Sequence, residues 1–537
     1  MEEKKAEHMN LLMQTSAWPA LRSKAIQLSR VHLRNFFEQD SERFARFSLA
    51  HDGWLMDYSK QRIDDETLSL LMELVHALDL PRGIRALAAG DQVNFTERRA
   101  ALHMALRARD GAHAELVRDC LGALEHWVSL IRRRELLGAT GQTITHVINL
   151  GIGGSDLGPR LAMETLEPQC DGPVVKLVAN LDPVALDMAL RDCKPAHTAF
   201  VLSSKSFTTQ ETLANAKVAM KWLADGLGSA GVGQHLFAVT NRPAAAQELG
   251  VPAERCLFLP EWVGGRYSVW SSIALPLACA IGMPAFREML DGARSMDEHF
   301  TQAPMSSNLP VMMGLIDFWN ASGMGLETLA VLPYSHLLRN LPTYLQQLEM
   351  ESNGKRCTST GELSRAPSAP VVWGGSGIVG QHAYHQQFYQ GTRMMPMHFI
   401  VPRHAPDERS RMVQLNALAQ SAALMRGKTR DEALDELRRS GLSEQEATRL
   451  SPHVACPGNQ PSTTLLMPLL NPRTLGQLLA LYEHKVFVQG WLLGINSFDQ
   501  YGVEYGKQMA RALASGNLPA DADASTRGLH AALGKPG

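Results

Sequence analysis

The sequence predicts an α/β protein of two α/β/α sandwich units with mainly parallel sheets, and three observations lead there. From Thr143 the chain repeats short apolar runs, His146 to Leu150, Val174 to Leu181, Thr198 to Ser204 and His235 to Thr240, each followed by helical periodicity. That alternation is the pattern of a doubly wound parallel sheet. Beyond Pro284, long helical patterns give way to strand candidates at Leu329 to Leu332, Val371 to Trp373 and Met397 to Val401, the outline of a second α/β unit. The length, 537 residues, also exceeds what one hydrophobic core serves, since single cores stop growing near ~250–300 residues.

The flanking regions differ in texture. Residues 1–105 read as a helical region packing on the large domain, with one extended stretch from Phe47 to Tyr58 and no obvious catalytic cluster. The expected divisions are therefore 1–105, a first unit at 106–284, a second at 285–514 and a C-terminal extension at 515–537, whose Gly, Pro, Asp and Ser content predicts mobility. Residues 407–450 mix both signs of charge, with Asp431, Glu432, Glu436, Arg438 and Arg439 on helical periodicity, which predicts a solvated helix face.

Charge and cysteine usage exclude several function classes. Lysine plus arginine number 52 against 54 aspartate plus glutamate, so no global field draws in nucleic acid or an anionic membrane, and an anionic ligand has to be met locally. The seven cysteines are odd in number, widely spaced and without a C-x-x-C pair. That argues for reduced, mostly structural thiols rather than a disulfide framework or a zinc site. Met1 to Lys5 holds no apolar export segment, and the longest apolar stretch, Ile273 to Met283, is too short to cross a bilayer. The expected compartment is the cytoplasm.

Two glycine- and hydroxyl-rich stretches sit between a strand candidate and a helix. Asn149 to Pro159, with Gly151, Gly153, Gly154, Ser155 and Asp156, is a turn that lets backbone N–H groups approach a ligand. A purely structural glycine turn and a dinucleotide site are the competing readings. For the latter, Gly151 and Gly153 begin a G-x-G-x-x-G and Asp182 stands where a ribose-binding acid would, but Asp156 occupies the third glycine position. Ser203 to Thr212 is the second stretch, and Thr208 with Glu211 has capping-box spacing. Its remaining hydroxyls, Ser204, Ser206, Thr209 and Thr212, outnumber what a cap requires and suit a phosphate cradle at a helix N-terminus. No G-x-x-x-x-G-K-[ST] is present there, so the phosphate would be a handle rather than the group transferred.

Four further stretches offer charged or titratable groups. Arg266 follows Gly264-Gly265 and suits either a developing oxyanion or an ordinary loop salt bridge. Gln347 and Glu351 lie four apart on one helical face ahead of the Asn353-Gly354 stop, whereas Glu349 points elsewhere and is expected to tolerate substitution. Glu351 is thus a base or a solvated surface group. His382 and His385 offer acid–base chemistry near neutral pH or plain structural histidines, and their spacing is not that of a metal pair. Gln500 and Lys507 are seven apart, on one face if a helix starts near Asp499, and a lysine there is otherwise a solvated helix residue.

In order and wording these stretches resemble the glucose-6-phosphate isomerase family, of sugar-isomerase domains, over nearly the whole chain, including Asn94 to Glu97 and Leu106-Arg107. The resemblance implies reversible isomerisation of glucose 6-phosphate and fructose 6-phosphate through ring opening and a cis-enediol, in glycolysis and gluconeogenesis. It implies a homodimer with shared sites and no metal or redox cofactor. Carried over by position, Ser204, Lys205, Ser206, Thr209 and Thr212 hold the phosphate, and Gly154 and Ser155 contact the sugar. Gln347 and Gln500 position the substrate, Arg266 lies beside the reacting carbons, Glu351 is the base, and His382 and Lys507 open the ring. Ser206 stands where the family has threonine, and Ile378-Val379 replaces its Thr-Asn before Gly380, which puts the local loop shape in question. A phosphosugar-binding regulator without catalysis is the alternative, one that has no need of Glu351, His382 and Lys507 together.

Overall fold

Helices Ala17–Ser29, Leu33–Gln39 and Arg43–Arg46 lead into a short hairpin, in which β1 (Ser48–His51) pairs antiparallel with β2 (Trp54–Asp57) across Asp52-Gly53. Both turn residues have positive φ, 46° and 82°, the conformation that an Asp-Gly hairpin turn supplies cheaply. The computed structural model describes residues 12–515 and 522–533. The expectations for Met1 to Lys5, and the parts of the tail at 516–521 and 534–537, lie outside the described residues.

A five-stranded, wholly parallel sheet follows, from β3 (His146–Leu150), β4 (Val174–Val178), β5 (Thr198–Ser203), β6 (Leu236–Thr240) and β7 (Cys256–Phe258), in the order β4-β3-β5-β6-β7. β5 and β6 are buried along their whole length, as strands covered on both faces must be. The second sheet has six strands in the order β1-β2-β11-β10-β8-β9, with β8 (Thr328–Pro333), β9 (Val371–Gly374), β10 (Met397–Pro402) and β11 (Ser462–Met467) mutually parallel and β2 antiparallel to β11. The α/β class with mainly parallel sheets is therefore present. The N-terminal region is more than helical packing, however: its extended stretch completes the second sheet, because β11 would otherwise leave an unpaired edge.

Packing gathers the chain up to Ser497 into one compact unit and the residues from Phe498 into a second. The second holds helices Gly502–Ala514 and Ala524–Leu533, the latter inside the stretch expected to be mobile. Residues 407–450 form helices Glu408–Arg426 and Arg430–Arg439 and most of Glu444–Val454, with many exposed side chains, as their charge pattern requires. All seven cysteines are free thiols; Cys279 is buried, and Cys170 and Cys357 are exposed.

The centre of the first unit is helix Leu275–Gln302 packed on helix Pro472–Leu493, both largely buried. The helix that holds the apolar stretch Ile273 to Met283 runs on through a kink at Gly282 into a charged half that ends at Gln302, and by length and composition Ser272–Gln302 matches a membrane span. Most of its apolar window is buried inside the fold, which accounts for that composition.

The same centre holds charge. Arg107, 4% exposed, pairs with Asp297 at 2.6 Å and with Glu483 at 2.7 Å, while His484 Nε2 lies 2.7 Å from Asp297. One residue further on, Lys485 contacts Asp317 at 2.7 Å and Glu349 at 2.8 Å. Burial alone would push Asp317 upward, but the charges of His398 and Lys485 hold it down at about 2. Glu349 is thus 3% exposed and salt-bridged, so the expectation that it tolerates substitution is corrected: its face is the interior one. Replacing Lys485 by methionine strands two buried carboxylates, and the urea midpoint should fall by an amount equivalent to about 3–5 kcal/mol; a shift below about 1 kcal/mol would show that the cluster is not matched as the geometry implies.

Candidate functional site

In a doubly wound sheet, ligands bind outside the carboxyl ends of the strands where the strand order reverses. Here β3 lies between β4 and β5, so the reversal falls between the ends of β3 and β5, where the glycine turn and the hydroxyl-rich loop begin. Asn149, fully buried at the end of β3, ties them together: its Oδ1 accepts from Ser203 Oγ at 2.6 Å, and its Nδ2 donates to the Ser155 carbonyl at 3.1 Å.

The hydroxyl loop leads into helix Gln210–Leu227, whose N-cap residue Thr209 makes no side-chain capping bond. The expected Thr208–Glu211 capping box does not form. Ser204 Oγ meets Thr209 Oγ1 at 3.0 Å, and Ser206 Oγ meets Thr208 Oγ1 at 2.7 Å. Thr212 Oγ1 is buried with no hydrogen-bond partner among the described residues. A positive helix end with hydroxyls around it and an unsatisfied buried hydroxyl suits an anion. Lys205 turns the other way, its ammonium donating to the carbonyls of Glu261 at 2.6 Å and Val263 at 2.8 Å. It thereby ties this loop to the segment that carries Arg266.

Arg266 sits on the 3₁₀ helix Gly265–Trp270, 3% exposed rather than in a surface loop. Its Nη1 donates to Glu351 Oε1 at 2.9 Å, its Nε to Ser352 Oγ at 2.6 Å and its Nη2 to the Ser497 carbonyl at 2.7 Å. Glu351 ends a π-helical turn, Gln346–Glu351, and its second oxygen accepts from Gln347 Nε2 at 2.8 Å, so the face expected for these two residues is formed. Single π turns recur at functional sites because the extra residue redirects side chains; this one sends Glu349 to the interior and Gln347 with Glu351 toward Arg266. The glycine turn closes against the same place. A Cβ on Gly154 would lie 2.0 Å from the Gly265 carbonyl oxygen, and one on Gly153 would lie 3.2 Å from Gln347 Nε2. Ser268 Oγ bridges the carbonyls of Gly154 and Gly265 at 3.2 and 2.7 Å, and Ser155 ends the short 3₁₀ turn that Gly153 begins.

The remaining expected residues stand on other elements. His382, exposed on helix Gly377–Ala383, makes no side-chain hydrogen bond among the described residues. Ile378 packs on the second sheet's core and Val379 is 66% exposed, so the Ile-Val departure is accommodated in a regular helical turn. In the second unit, Lys507 is exposed and pairs with Glu504 at 2.7 Å. The helix there starts at Gly502, not near Asp499, so Gln500 precedes it. Asp156 is consumed by a bidentate pair with Arg160, and Asp182 caps helix Pro183–Leu190, which leaves the dinucleotide reading without its acid. No group of three or more metal-type ligands occurs among the described residues.

Three contributors were not singled out from sequence. Asn149 closes a strand, Ser352 follows Glu351 directly, and Lys355 donates to the carbonyls of Glu351 and Ser352 at 2.7 and 2.8 Å. A basic residue just past a helical carboxylate was the available signal for the last, since helix ends leave carbonyls to satisfy.

Comparison with known proteins fits this geometry. A family model described as phosphoglucose isomerase matches residues 57–530. The glucose-6-phosphate isomerase of Aromatoleum aromaticum is 54% identical over 524 residues, 96% of each chain, and that of Brucella ovis is 46% identical over 517 residues, 93% of this chain and 94% of its own. Among solved structures, a glucose-6-phosphate isomerase from Chlamydia trachomatis superposes with a TM-score of 0.84 at 29% identity, covering 97% of this chain and 99% of its own.

One titration follows from the site's electrostatics. Burial foremost, with Arg99 nearby, pushes the Lys205 ammonium down to about 8, whereas an unfolded lysine holds its proton to about 10.4. The folded state therefore releases this proton first, and the contribution of this group to stability rises as pH climbs from about 8 to 10. Carbon-13 NMR of labelled lysine should give Lys205 a midpoint near pH 8, and a midpoint above 10 would contradict the buried placement.

Proposed function

Because the chain belongs to the phosphoglucose isomerase family, it is an aldose–ketose isomerase of glucose 6-phosphate and fructose 6-phosphate, and we propose that it works by a single-base transfer at the Arg266–Glu351 cluster. The observation that carries this reading is the 2.9 Å contact between Arg266 and Glu351, with Gln347 on the other carboxylate oxygen. Glu351 takes the C2 proton of the open-chain aldose, the electrons left behind form the C1–C2 double bond as the C1 carbonyl π pair moves onto O1, and the O1 oxyanion takes up a proton to give the cis-enediol. The O2 hydroxyl then gives up its proton, the C2 carbonyl forms, and the C1–C2 π pair takes the proton back from the same carboxylate at C1. Arg266 carries a permanent charge and is held before reaction, so it stabilises the developing oxyanion without reorganisation. Gln347 and Gln500 orient the substrate.

The phosphate end is the handle. Ser204, Ser206, Thr209 and Thr212 with the helix N-terminus hold it, and Gly154 with Ser155 meets the sugar; their support is the open cradle and the unsatisfied Thr212 hydroxyl. Binding energy gathered there orients carbons that lie away from it. Lys205 acts through the two carbonyls it holds. His382 and Lys507 take the ring-opening proton transfers, and the working form is a homodimer in which His382 serves the partner's site; its exposure and lack of side-chain hydrogen bonds among the described residues favour that. Exposed free thiols at Cys170 and Cys357 fit a reducing, cytoplasmic compartment.

Two experiments test this. Glu351→Gln should fold and still bind fructose 6-phosphate but lose kcat by on the order of 10²–10⁴ in a coupled glucose 6-phosphate assay; near-normal turnover would remove Glu351 as the base. Unfolding and refolding Glu351→Gln together with His382→Ala, each inactive alone, should restore about a quarter of the unmutated activity when half the dimers are mixed, because two-fold exchange leaves one site in each mixed dimer free of both lesions. No recovery despite demonstrated mixed dimers would place both residues in one chain.

A further inference from the structure

Arg266 can act as described only if its guanidinium is fixed; Glu351 and the Ser497 carbonyl hold its two terminal nitrogens, and the group that holds Nε lies beside the base in the chain. Ser352 is fully buried and directly follows Glu351. An arginine Nε carries one hydrogen and no available lone pair, so Ser352 Oγ is the acceptor in their 2.6 Å contact. The same oxygen lies 3.0 Å from the Tyr267 hydroxyl. Tyr267 is in turn immobilised: its ring stacks on His103 with centroids 4.6 Å apart, and the guanidinium carbon sits 5.5 Å from its centre. Adjacent residues therefore grip one arginine at two points, Ser352 at Nε and Glu351 at Nη1.

The residue type matters as much as the position. A carboxylate at 352 would hold Nε as firmly, but it would set another negative charge against the guanidinium and weaken its field at an oxyanion. A hydroxyl orients without neutralising. With Nε held, rotation about the Cδ–Nε bond is blocked, and the charged edge keeps its register with Glu351.

We propose that Ser352 is a positioning residue for the isomerisation, fixing the Arg266 guanidinium in register with Glu351, a role that rests on the assignment of Arg266 as the oxyanion stabiliser. Removing the hydroxyl deletes no group proposed to touch substrate and leaves the phosphate cradle unaltered, while Arg266 loses its register with Glu351, so the loss should fall on turnover rather than on binding.

The test is a double-mutant cycle read by steady-state kinetics. Ser352→Ala should lower kcat by about 10- to 100-fold, the scale of a small misplacement of a catalytic group, with KM changed by less than about twofold. In an Arg266→Lys background, which has no Nε–H to hold, the same substitution should change kcat by less than about twofold, because the interaction it removes is already absent. An equal loss in both backgrounds, a loss confined to KM, or no loss at all would overturn the proposal. Should Ser352→Ala melt too low to assay, Ser352→Cys, which keeps the volume but accepts hydrogen bonds weakly, is read against the same expectations. Failure of the underlying assignment shows separately: Arg266→Lys alone would then keep its full kcat.

Discussion

A charged residue away from water must find an opposite charge, and in this protein that requirement sets the geometry of everything else. One turn of the central helix Pro472–Leu493 carries Glu483, His484 and Lys485, all essentially unexposed. Glu483 reaches forward to Arg107 and to Trp270 Nε1 at 2.7 Å, and Trp270 ends the 3₁₀ helix on which Arg266 stands. Lys485 reaches Glu349, which belongs to the π turn on which Glu351 stands. The two arms of the Arg266–Glu351 cluster are thus referenced to the same helical turn. Buried ion pairs are weak sources of net stability and sharp sources of position, because neither partner can move without exposing the other to an unmatched interior.

The division of labour at the site follows from where charge is needed. The loop after β5 offers hydroxyls and a helix end with the Lys205 ammonium turned toward carbonyls, so what it presents to an anion is mainly dipoles. Full positive charge is concentrated at Arg266, where it is buried and little screened. In the proposed reaction, dipoles would meet a charge that does not change and a fixed cation a charge that comes and goes. With 52 basic and 54 acidic side chains, selectivity for an anion rests on this local pattern and not on the field of the whole molecule.

Much of this was legible in the residues. The strand runs at His146, Thr198, Leu329 and Met397 were found because buried parallel strands are continuous apolar segments, and the loops after them carried the glycine and hydroxyl clusters where a parallel sheet puts its ligands. Cys256–Phe258 and Ser462–Met467 escaped notice. The first is three residues long, and the second, Ser-Thr-Thr-Leu-Leu-Met, is half hydroxyl-bearing, so neither has the apolar length that marks a strand. Helical spacing paired Gln347 with Glu351 correctly, but no spacing tells which carboxylate faces solvent, and Glu349 proved to face Lys485, 136 residues away. Thr208 and Glu211 illustrate the converse: the capping pattern is present, yet the hydroxyls pair among themselves, because a local signal yields where a loop is shaped by contacts from elsewhere in the chain.

The pairing of β2 with β11 joins Asp57 to Thr464, partners separated by about 400 residues of chain. At synthesis rates of ~5–20 residues per second, the hairpin leaves the ribosome roughly 20–80 s before the strand that covers it. The sheet from β3 to β7 is contiguous in sequence and can assemble during that interval, whereas β2 waits with its backbone donors and acceptors unpaired. The hairpin is short, two strands of four residues each, and a strand pair of that size is barely stable alone. The nascent chain therefore keeps its N-terminal edge unformed until its partner arrives, and a segment that has not yet become a strand is a poor template for the strands of neighbouring chains on the same messenger RNA.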